Sequence, residues 1–329
     1  MKKICLLSTG GTIVSIQGKN GLQPAADGAS LLSSVPKLAS IADIDFINLL
    51  DLDSTNIQPC HWQEMARTVA KNRMRYDGFV ITHGTDTMAY SSAALYYMLE
   101  NIDCPVVFTG SQLPLGTPAS DAPDNLAFAA HVAASGHCGV YLAFGTRLIH
   151  GNAARKLHAE NLSAFHSINR PNAATLQNGT IHWEDCPSLP SAPFVLHDRL
   201  DENVSVLKLV PGTKPCLLKV LVDQGCHAVI IEGFGMGGVP SGNAKSNFLP
   251  MLEYAKEHGT KIICTTQCVY DGVHLDRYEV GVLAKKSWGY FRRHPDYGGS
   301  FGKNYDRTCR KQGIANGCTF IFSCDCGII

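Results

Sequence analysis

The sequence predicts an α/β protein: a larger N-terminal domain with a mostly parallel sheet flanked by helices, then a smaller C-terminal α/β domain. Three observations lead there. Apolar, β-rich runs of four to six residues alternate with helix-like stretches, the pattern of βαβ units. Two of those runs feed directly into short segments rich in glycine and threonine, Ser8-Thr9-Gly10-Gly11-Thr12 and Thr82-His83-Gly84-Thr85-Asp86-Thr87. The alternation breaks once, at a proline-rich stretch beginning Cys186-Pro187-Ser188-Leu189-Pro190, and then resumes.

In order along the chain, strands are expected at Ile4–Leu7, Phe46–Leu50, Phe79–Thr82, Val106–Thr109 and Val140–Phe144. Helices are expected at Trp62–Asn72, Met88–Leu99 and Asn125–Ala134, the helix-like stretches between those strands. These make an N-terminal domain over residues 1–185. A linker follows at 186–203. A C-terminal domain at 204–286 carries strands Val204–Leu209, Ala228–Glu232 and Lys261–Thr265. Residues 287–329 are an atypical tail. There is no internal repeat.

Bulk properties narrow the function. A chain of 329 residues can bury two cores. Its 28 basic and 28 acidic side chains cancel, so nothing in the total charge calls for a nucleic-acid or membrane partner. No apolar run reaches the length of a membrane-spanning helix. Met1-Lys2-Lys3 leads straight into a short strand without the apolar core of a signal peptide, so a cytoplasmic location is expected. Thirteen cysteines are many, but most sit singly in apolar segments, as Cys5, Cys138 and Cys264 do, and read as buried free thiols. Cys264 and Cys268 have the spacing of metal ligands, yet no second pair completes a zinc site.

Chemistry concentrates in the two glycine-threonine segments. At the carboxyl ends of parallel strands, they would face the crevice where open α/β sheets hold ligands. Gly10-Gly11 would let the backbone turn sharply and approach a small molecule, with the Thr12 hydroxyl presented beside it. The pair lacks the third glycine of a dinucleotide fingerprint, and there is no Walker lysine-threonine pair. Read more plainly, Thr12 is a helix cap. In the second segment, Asp86 could hold an ammonium group and Thr85 could position a water or share a proton with a lysine. Capping accounts for one of these residues but not the whole run, and His83 reads as structural.

Thr9-Gly10-Gly11-Thr12-Ile13 together with His83-Gly84-Thr85-Asp86-Thr87-Met88 resembles the paired signatures of the bacterial-type L-asparaginase family, closest to its cytoplasmic type I branch. Asp53-Ser54, Thr109-Gly110-Ser111-Gln112-Leu113-Pro114, Ser120-Asp121 with Asn125-Leu126, and Thr266-Gln267-Cys268 extend the likeness from about residue 3 to about 286. The resemblance implies hydrolysis of L-asparagine to L-aspartate and ammonia, with no metal or other cofactor. It implies that Thr12 is the nucleophile and forms an acyl-enzyme, and that Thr85, Asp86 and Lys156 are the second catalytic group. It places Ser54 on the substrate α-carboxylate and Asp86 on its α-amino group. A lone lysine in Ala153-Ala154-Arg155-Lys156 would otherwise read as a solvated side chain. The family also implies a homodimer or homotetramer with sites built at subunit interfaces.

The sequence departs from the family at several points. Many relatives have a tyrosine on the loop after the nucleophile; here Leu22 stands at about that place, and no tyrosine occurs between Thr12 and Thr68. Cys268 matches a cysteine of a regulatory asparagine site in some type I enzymes, but Glu232 replaces its arginine partner. From Ser287 onward the 43 residues contain no leucine, valine, glutamate or methionine, but four cysteines, seven glycines and eight aromatics. The family pattern has a glycine-rich turn there, then Met-Thr-x-Glu-Ala. Codons for residues 289–300 read in the adjacent frame can encode Gly-Val-Ile-x-Gly-Gly-Thr-Pro-Thr-Met-Glu-Ala, the first glycine arising at the Trp288-Gly289 junction. That points to a one-nucleotide frameshift near codon 286. The competing reading is a divergent extension, metal-binding or disulfide-bonded, around Cys324 and Cys326. A frameshifted tail would lower stability, expose cysteines and reduce activity.

Two other functions share the signatures. One is the asparaginase-like subunit of a tRNA-dependent amidotransferase, which usually carries an additional N-terminal domain, whereas here the nucleophile strand begins at residue 4. The other is a catalytically impaired amino-acid-binding homologue, for which Lys156 would be superfluous.

Overall fold

The computed structural model describes residues 1–11, 13, 15–18, 21–24, 35–184, 189–242 and 245–277, with four two-residue strands further on. The chain divides into two units, Met1–Arg199 and Leu200–Ile329.

The first unit is built on one eight-stranded sheet. Its strands are β1 (Lys3–Gly10), β4 (Asp43–Leu52), β5 (Gly78–Thr82), β7 (Pro105–Thr109), β8 (Gly139–Phe144), β9 (Arg147–His150), β12 (Ala174–Gln177) and β13 (Thr180–Trp183). Short ribbons flank it: β2 (Ser15–Gly18) with β3 (Gly21–Pro24), β10 (Ala154–Lys156) with β11 (Phe165–Ser167), and β6 (Leu99–Glu100) with β14 (Val195–Leu196). The order across the sheet is β13-β12-β9-β8-β7-β5-β1-β4. Ladders from β4 to β8 are parallel, and those joining β8, β9, β12 and β13 are antiparallel. The expected mostly parallel sheet is therefore extended on one side by an antiparallel arm.

All five predicted N-terminal strands are present, because runs such as Ile4-Cys5-Leu6-Leu7 and Phe79-Val80-Ile81 are buried on both faces. Helix Pro59–Asn72 begins with proline in its first turn and a reciprocal Gln58–His61 cap, and it buries Met65, Ala66 and Val69. Helix Met88–Met98 is buried nearly all round, which suits its lack of a polar face. Helix Ala122–Ala133 is alanine-rich where it presses on the sheet; a Cβ on Gly78 of β5 would lie 2.1 Å from the Ala133 carbonyl oxygen.

Topology locates the crevice. β4 pairs on one side of β1 and β5 on the other, in register Leu7↔Ile81 and Ser8↔Thr82. The chain thus leaves β1 toward one side and returns on the other, so the loops after β1 and β5 part at a switch point at the carboxyl edge.

The second unit holds a parallel three-stranded sheet, β15 (Val204–Lys208), β16 (Ala228–Gly233) and β17 (Lys261–Thr266), with helices Cys216–Asp223 and Leu249–Glu257. Leu209, Leu218, Val229, Ile231, Phe248 and Leu252 form its core. In the tail the structure describes two pairings, β18 (Ile314–Ala315) with β19 (Cys318–Thr319) and β20 (Ser323–Cys324) with β21 (Gly327–Ile328). Residues 278–313 lie outside the described residues, as does most of the frameshift candidate segment.

Of the described cysteines, Cys5, Cys104, Cys138 and Cys264 are buried, whereas Cys60, Cys216 and Cys268 are exposed. Burial therefore holds for the thiols within β1 and β17 and for those just before β7 and β8. It does not hold for Cys60 and Cys216, which sit in the first turns of helices, nor for Cys268 beyond the end of β17.

Candidate active site

Three backbones meet where β1, β4 and β5 end. Gly10 and Gly11 both have positive φ, 98° and 88°, a region in which a side chain is strained. A Cβ on Gly10 would lie 2.5 Å from the Leu52 carbonyl oxygen, and one on Gly11 would lie 2.4 Å from the Gly84 nitrogen. Gly84 is equally confined: its Cβ would meet Ser54 Oγ at 2.6 Å. Gly11, Gly84 and Ser54 are thus stacked in direct contact, and the two glycines immediately precede Thr12 and Thr85 in the chain. Thr12 itself lies outside the described residues.

Ser54 is buried and opens a short 3-10 turn, Ser54–Asn56. Asp53 caps that turn, accepting from the Thr55 backbone N–H at 2.8 Å and its hydroxyl at 2.7 Å. Those two donors hold its carboxyl below the usual carboxylate range. Thr87 ties the turn to the second segment by donating to the Ser54 carbonyl at 2.6 Å.

Lys156 arrives from the β10–β11 ribbon. Its Nζ donates to Thr85 Oγ1 at 2.8 Å and to Asp86 Oδ1 at 2.7 Å. The lysine side chain is 16% exposed, whereas the Asp86 side chain is 60% exposed. The ribbon is held by Leu157 N–H donating to the Ala164 carbonyl, and the turn before it by Ser92 Oγ donating to the Gly151 carbonyl at 3.1 Å. The structure therefore brings Thr85, Asp86 and Lys156 together and sets Ser54 behind Gly84.

Beneath Thr85 lies a buried relay. His83 has no solvent exposure. Its Nδ1–H donates to the Gly84 carbonyl at 2.7 Å, and its Nε2 accepts from Ser91 Oγ at 2.8 Å. Ser91 in turn accepts from Trp62 Nε1–H at 2.9 Å. Burial lowers the imidazole pKa to about 4, so it is neutral and its tautomer is fixed by its two partners. His83 is structural in its contacts, because it anchors the carbonyl of the turn that carries Thr85.

A fourth loop completes the edge. Gln112 Oε1 accepts from Thr85 Oγ1 at 3.1 Å. Asp121 braces this loop by accepting from the Gln112 and Leu113 backbone N–H groups, each at 3.0 Å, and from Asn125 Nδ2. Asn125 spans two strand ends, donating to the Gly110 carbonyl at 2.9 Å and accepting from Gly145 N–H at 2.8 Å. Sequence reasoning gives Gln112 and the Asp121–Asn125 pair no role in the site. The signal available is a run of polar side chains, with Gly110, directly after strand Pro105–Thr109. Among the described residues no group of three or more His, Cys, Asp or Glu side chains could hold a metal ion.

Residues 3–188 match the family described as Asparaginase, N-terminal, and residues 203–292 match the Glutaminase/Asparaginase C-terminal domain. The chain belongs to the asparaginase family. An L-asparaginase of Thermococcus kodakarensis is 39% identical over 285 residues, covering 85% of this chain and 84% of that protein. A solved structure of the thermostable L-asparaginase from the same organism superimposes with a TM-score of 0.79 at 38% identity, covering 87% of this chain and 86% of that one. L-asparaginase 1 of Escherichia coli K12 is 33% identical over 292 residues, covering 85% of this chain and 84% of that protein. A glutamyl-tRNA(Gln) amidotransferase component of Thermococcus kodakarensis is 36% identical over 294 residues, covering 85% of this chain but 66% of that longer protein. No helix among the described residues is long and apolar enough to cross a membrane.

Proposed function

We propose that this chain is a cofactor-independent amidohydrolase that converts L-asparagine to L-aspartate and ammonia, with Thr12 as the attacking hydroxyl. The observation that carries the reading is the position of Lys156, hydrogen-bonded to both Thr85 and Asp86 at a crevice formed by four loop ends. Threonine hydroxyls are poor nucleophiles at neutral pH and need a neighbouring proton acceptor or a polarising charge. A lysine held by an aspartate against a second threonine supplies the polarising charge.

The steps follow from those groups. The substrate α-amino group binds the exposed Asp86 carboxylate, and its α-carboxylate binds at Ser54. The Thr12 oxygen attacks the side-chain amide carbon as its proton leaves toward the site's basic groups. Collapse of the tetrahedral adduct breaks the C–N bond as that proton passes on to the leaving nitrogen, which departs as ammonia and leaves an ester on Thr12. Water positioned at Thr85 attacks the ester; its oxygen joins the acyl carbon and one of its protons goes to the departing Thr12 oxygen, which yields aspartate and restores the hydroxyl. Backbone N–H groups at the strand ends stabilise the oxyanion, worth about 3 kcal/mol per donor. Fixing both charged α-groups supplies the orientation term.

The reading extends to a cytoplasmic homodimer or homotetramer, with no nucleic-acid or membrane partner. Two relatives named L-asparaginase cover this chain over matching lengths, which favours this activity over a tRNA-dependent amidotransferase role.

Ammonia release from L-asparagine is the test. The wild-type chain is expected to turn over, and Thr12→Ala to lose at least about 1,000-fold in kcat. Turnover unchanged in Thr12→Ala would overturn the assignment of the nucleophile. Light scattering on the purified chain checks the oligomer.

A further inference from the structure

We propose that Gln112 is a positioning residue that sets the direction of the Thr85 hydroxyl and thereby the polarity of the Lys156–Thr85 pair. The inference rests on the proposed function for its catalytic consequence, but its structural part stands on three hydrogen bonds. Gln112 Nε2 donates to the Ala159 carbonyl at 2.8 Å and to the Asn161 carbonyl at 3.3 Å. Gln112 Oε1 faces Thr85 Oγ1 at 3.1 Å.

The two carbonyls decide which way the amide points. A carbonyl oxygen can only accept, so the NH2 group must face residues 159 and 161. Rotating the amide by half a turn would set Oε1 against two carbonyl oxygens and leave two acceptors unpaired. Gln112 therefore presents an acceptor, never a donor, to Thr85. The Thr85 hydroxyl has one proton, and that proton is committed to Gln112. Its lone pairs are then left to face Lys156 Nζ, which donates to them at 2.8 Å.

This fixes a direction that Lys156, Thr85 and Asp86 cannot fix by themselves. A hydroxyl between an amine and open solvent rotates freely and can either donate to a lysine or accept from it. With Gln112 present, the resting hydroxyl accepts from the lysine and keeps that amine in its donor role. The same side chain ties the residues just after β10 to the turn after β7, which is itself braced by Asp121. Gln112 thus acts on the reaction through Thr85 and is assigned no contact with the nucleophile or the scissile amide.

Neutron diffraction on crystals of the wild-type chain tests the hydroxyl direction without any turnover. The deuteron on Thr85 Oγ1 is expected toward Gln112 Oε1; a deuteron directed at Lys156 Nζ overturns the inference. Kinetics supply the second arm. Gln112→Met keeps the length but removes the acceptor toward Thr85. Gln112→Met is expected to lower kcat about 10- to 100-fold with KM within about twofold, the loss typical of a misplaced reacting group. Its pH–kcat profile moves to lower pH, because a hydroxyl freed to donate favours the neutral amine. A Gln112→Met enzyme with the wild-type kcat and profile overturns the inference. So does a loss of kcat in Gln112→Met with its profile not displaced, since a simple tether would act that way. A wild-type chain that releases no ammonia, yet shows the deuteron on the Gln112 side, fails the functional reading alone.

Discussion

The Lys156 amine and the Thr85 hydroxyl are hydrogen-bonded at 2.8 Å although 71 positions separate them in the chain. The lysine stands on a three-residue strand, β10, and the threonine on the turn after β5. A pairing over that distance is specified by the fold rather than by local sequence.

Replacing Lys156 separates its chemical role from its structural one. Lys156→Met keeps the apolar stem and deletes the donor. The partner carboxylate of Asp86 is 60% exposed, so it returns to water instead of being left buried and unpaired. The expected result is a kcat lowered about 1,000-fold, within the range of a lost acid–base group. Stability changes by no more than about 1 kcal/mol, as for other solvent-screened pairs. Ammonia release and urea denaturation on the same preparation check both numbers. Lys156→Arg is not expected to restore turnover, because a planar fork cannot take the place of one ammonium between two oxygens.

The glycine stack makes a second, sterically defined prediction. Gly11→Ala places a methyl group 2.4 Å from the Gly84 backbone nitrogen, at a φ of 88°. Gly116→Ala is its control: φ is 87° and nothing lies within 4 Å of the added carbon. The control is expected to cost about 1 kcal/mol from backbone strain alone. Gly11→Ala is expected to cost about 2–4 kcal/mol and to abolish turnover, since backbone cannot move aside as a side chain can. Equal melting-point losses in the two variants would refute the contact.

How much of this is legible in the sequence depends on how local each signal is. The central strands announce themselves because β1, β5 and β7 are buried on both faces and their apolar runs are unbroken. Thr85 and Asp86 stand out because they crowd one turn between a buried strand and a buried helix. Lys156 does not: a three-residue ribbon strand has no periodicity to read, and only resemblance to a family marks it. The antiparallel arm β9, β12, β13 escapes for a related reason, since its strands are four residues long. One signal is nonetheless present. Asn178-Gly179 joins β12 to β13 with φ of 50° and 77°, the asparagine-glycine hairpin turn flanked by Thr-Leu-Gln and Thr-Ile-His. Gln112 is legible as part of a motif, but its partners at residues 159 and 161 are supplied only by the tertiary fold.

His83 gives the protein a pH dependence with a defined sign. Its folded pKa is depressed to about 4 from 6.5, chiefly by burial. Above pH 6.5 it is neutral in both folded and unfolded chains and imposes no bias. As pH falls below 6.5 the unfolded chain takes up a proton that the folded one refuses, and stability declines until about pH 4. Each pH unit of displacement is worth about 1.4 kcal/mol, so the loss approaches about 3 kcal/mol at the acid end of that window. The carboxylates with lowered pKa values, Asp45, Asp53 and Asp77, act below it, because their unfolded reference is 3.8. Urea midpoints measured from about pH 7 to about pH 4 are expected to slope downward in the wild type and less steeply in His83→Gln, where His166, also lowered chiefly by burial, still acts. A parallel slope in both would assign the dependence elsewhere.

The tail carries the last prediction, and codon chemistry makes it specific. Lys285-Lys286-Ser287 can be written AAA AAA AGC, a run of adenines of the kind in which a nucleotide is easily gained. Removing one adenine turns AGC TGG GG into GCT GGG G, so that Ser287-Trp288 becomes Ala-Gly. That glycine opens the run Gly-Val-Ile-x-Gly-Gly-Thr-Pro-Thr-Met-Glu-Ala, which restores the valine, methionine and glutamate that residues 287–329 lack. The matching C-terminal family domain ends at residue 292, shortly after the same point. Physically, a Val-Ile run followed by an alanine- and glutamate-containing segment can add a strand and a helix to the small unit, whose described parallel sheet has only three strands. Sequencing the coding DNA is expected to show the adenine run, and deleting one base is expected to yield a chain that melts higher and turns over faster. Codons that contain no such run, or a repaired chain no more stable than the present one, would establish the tail as native.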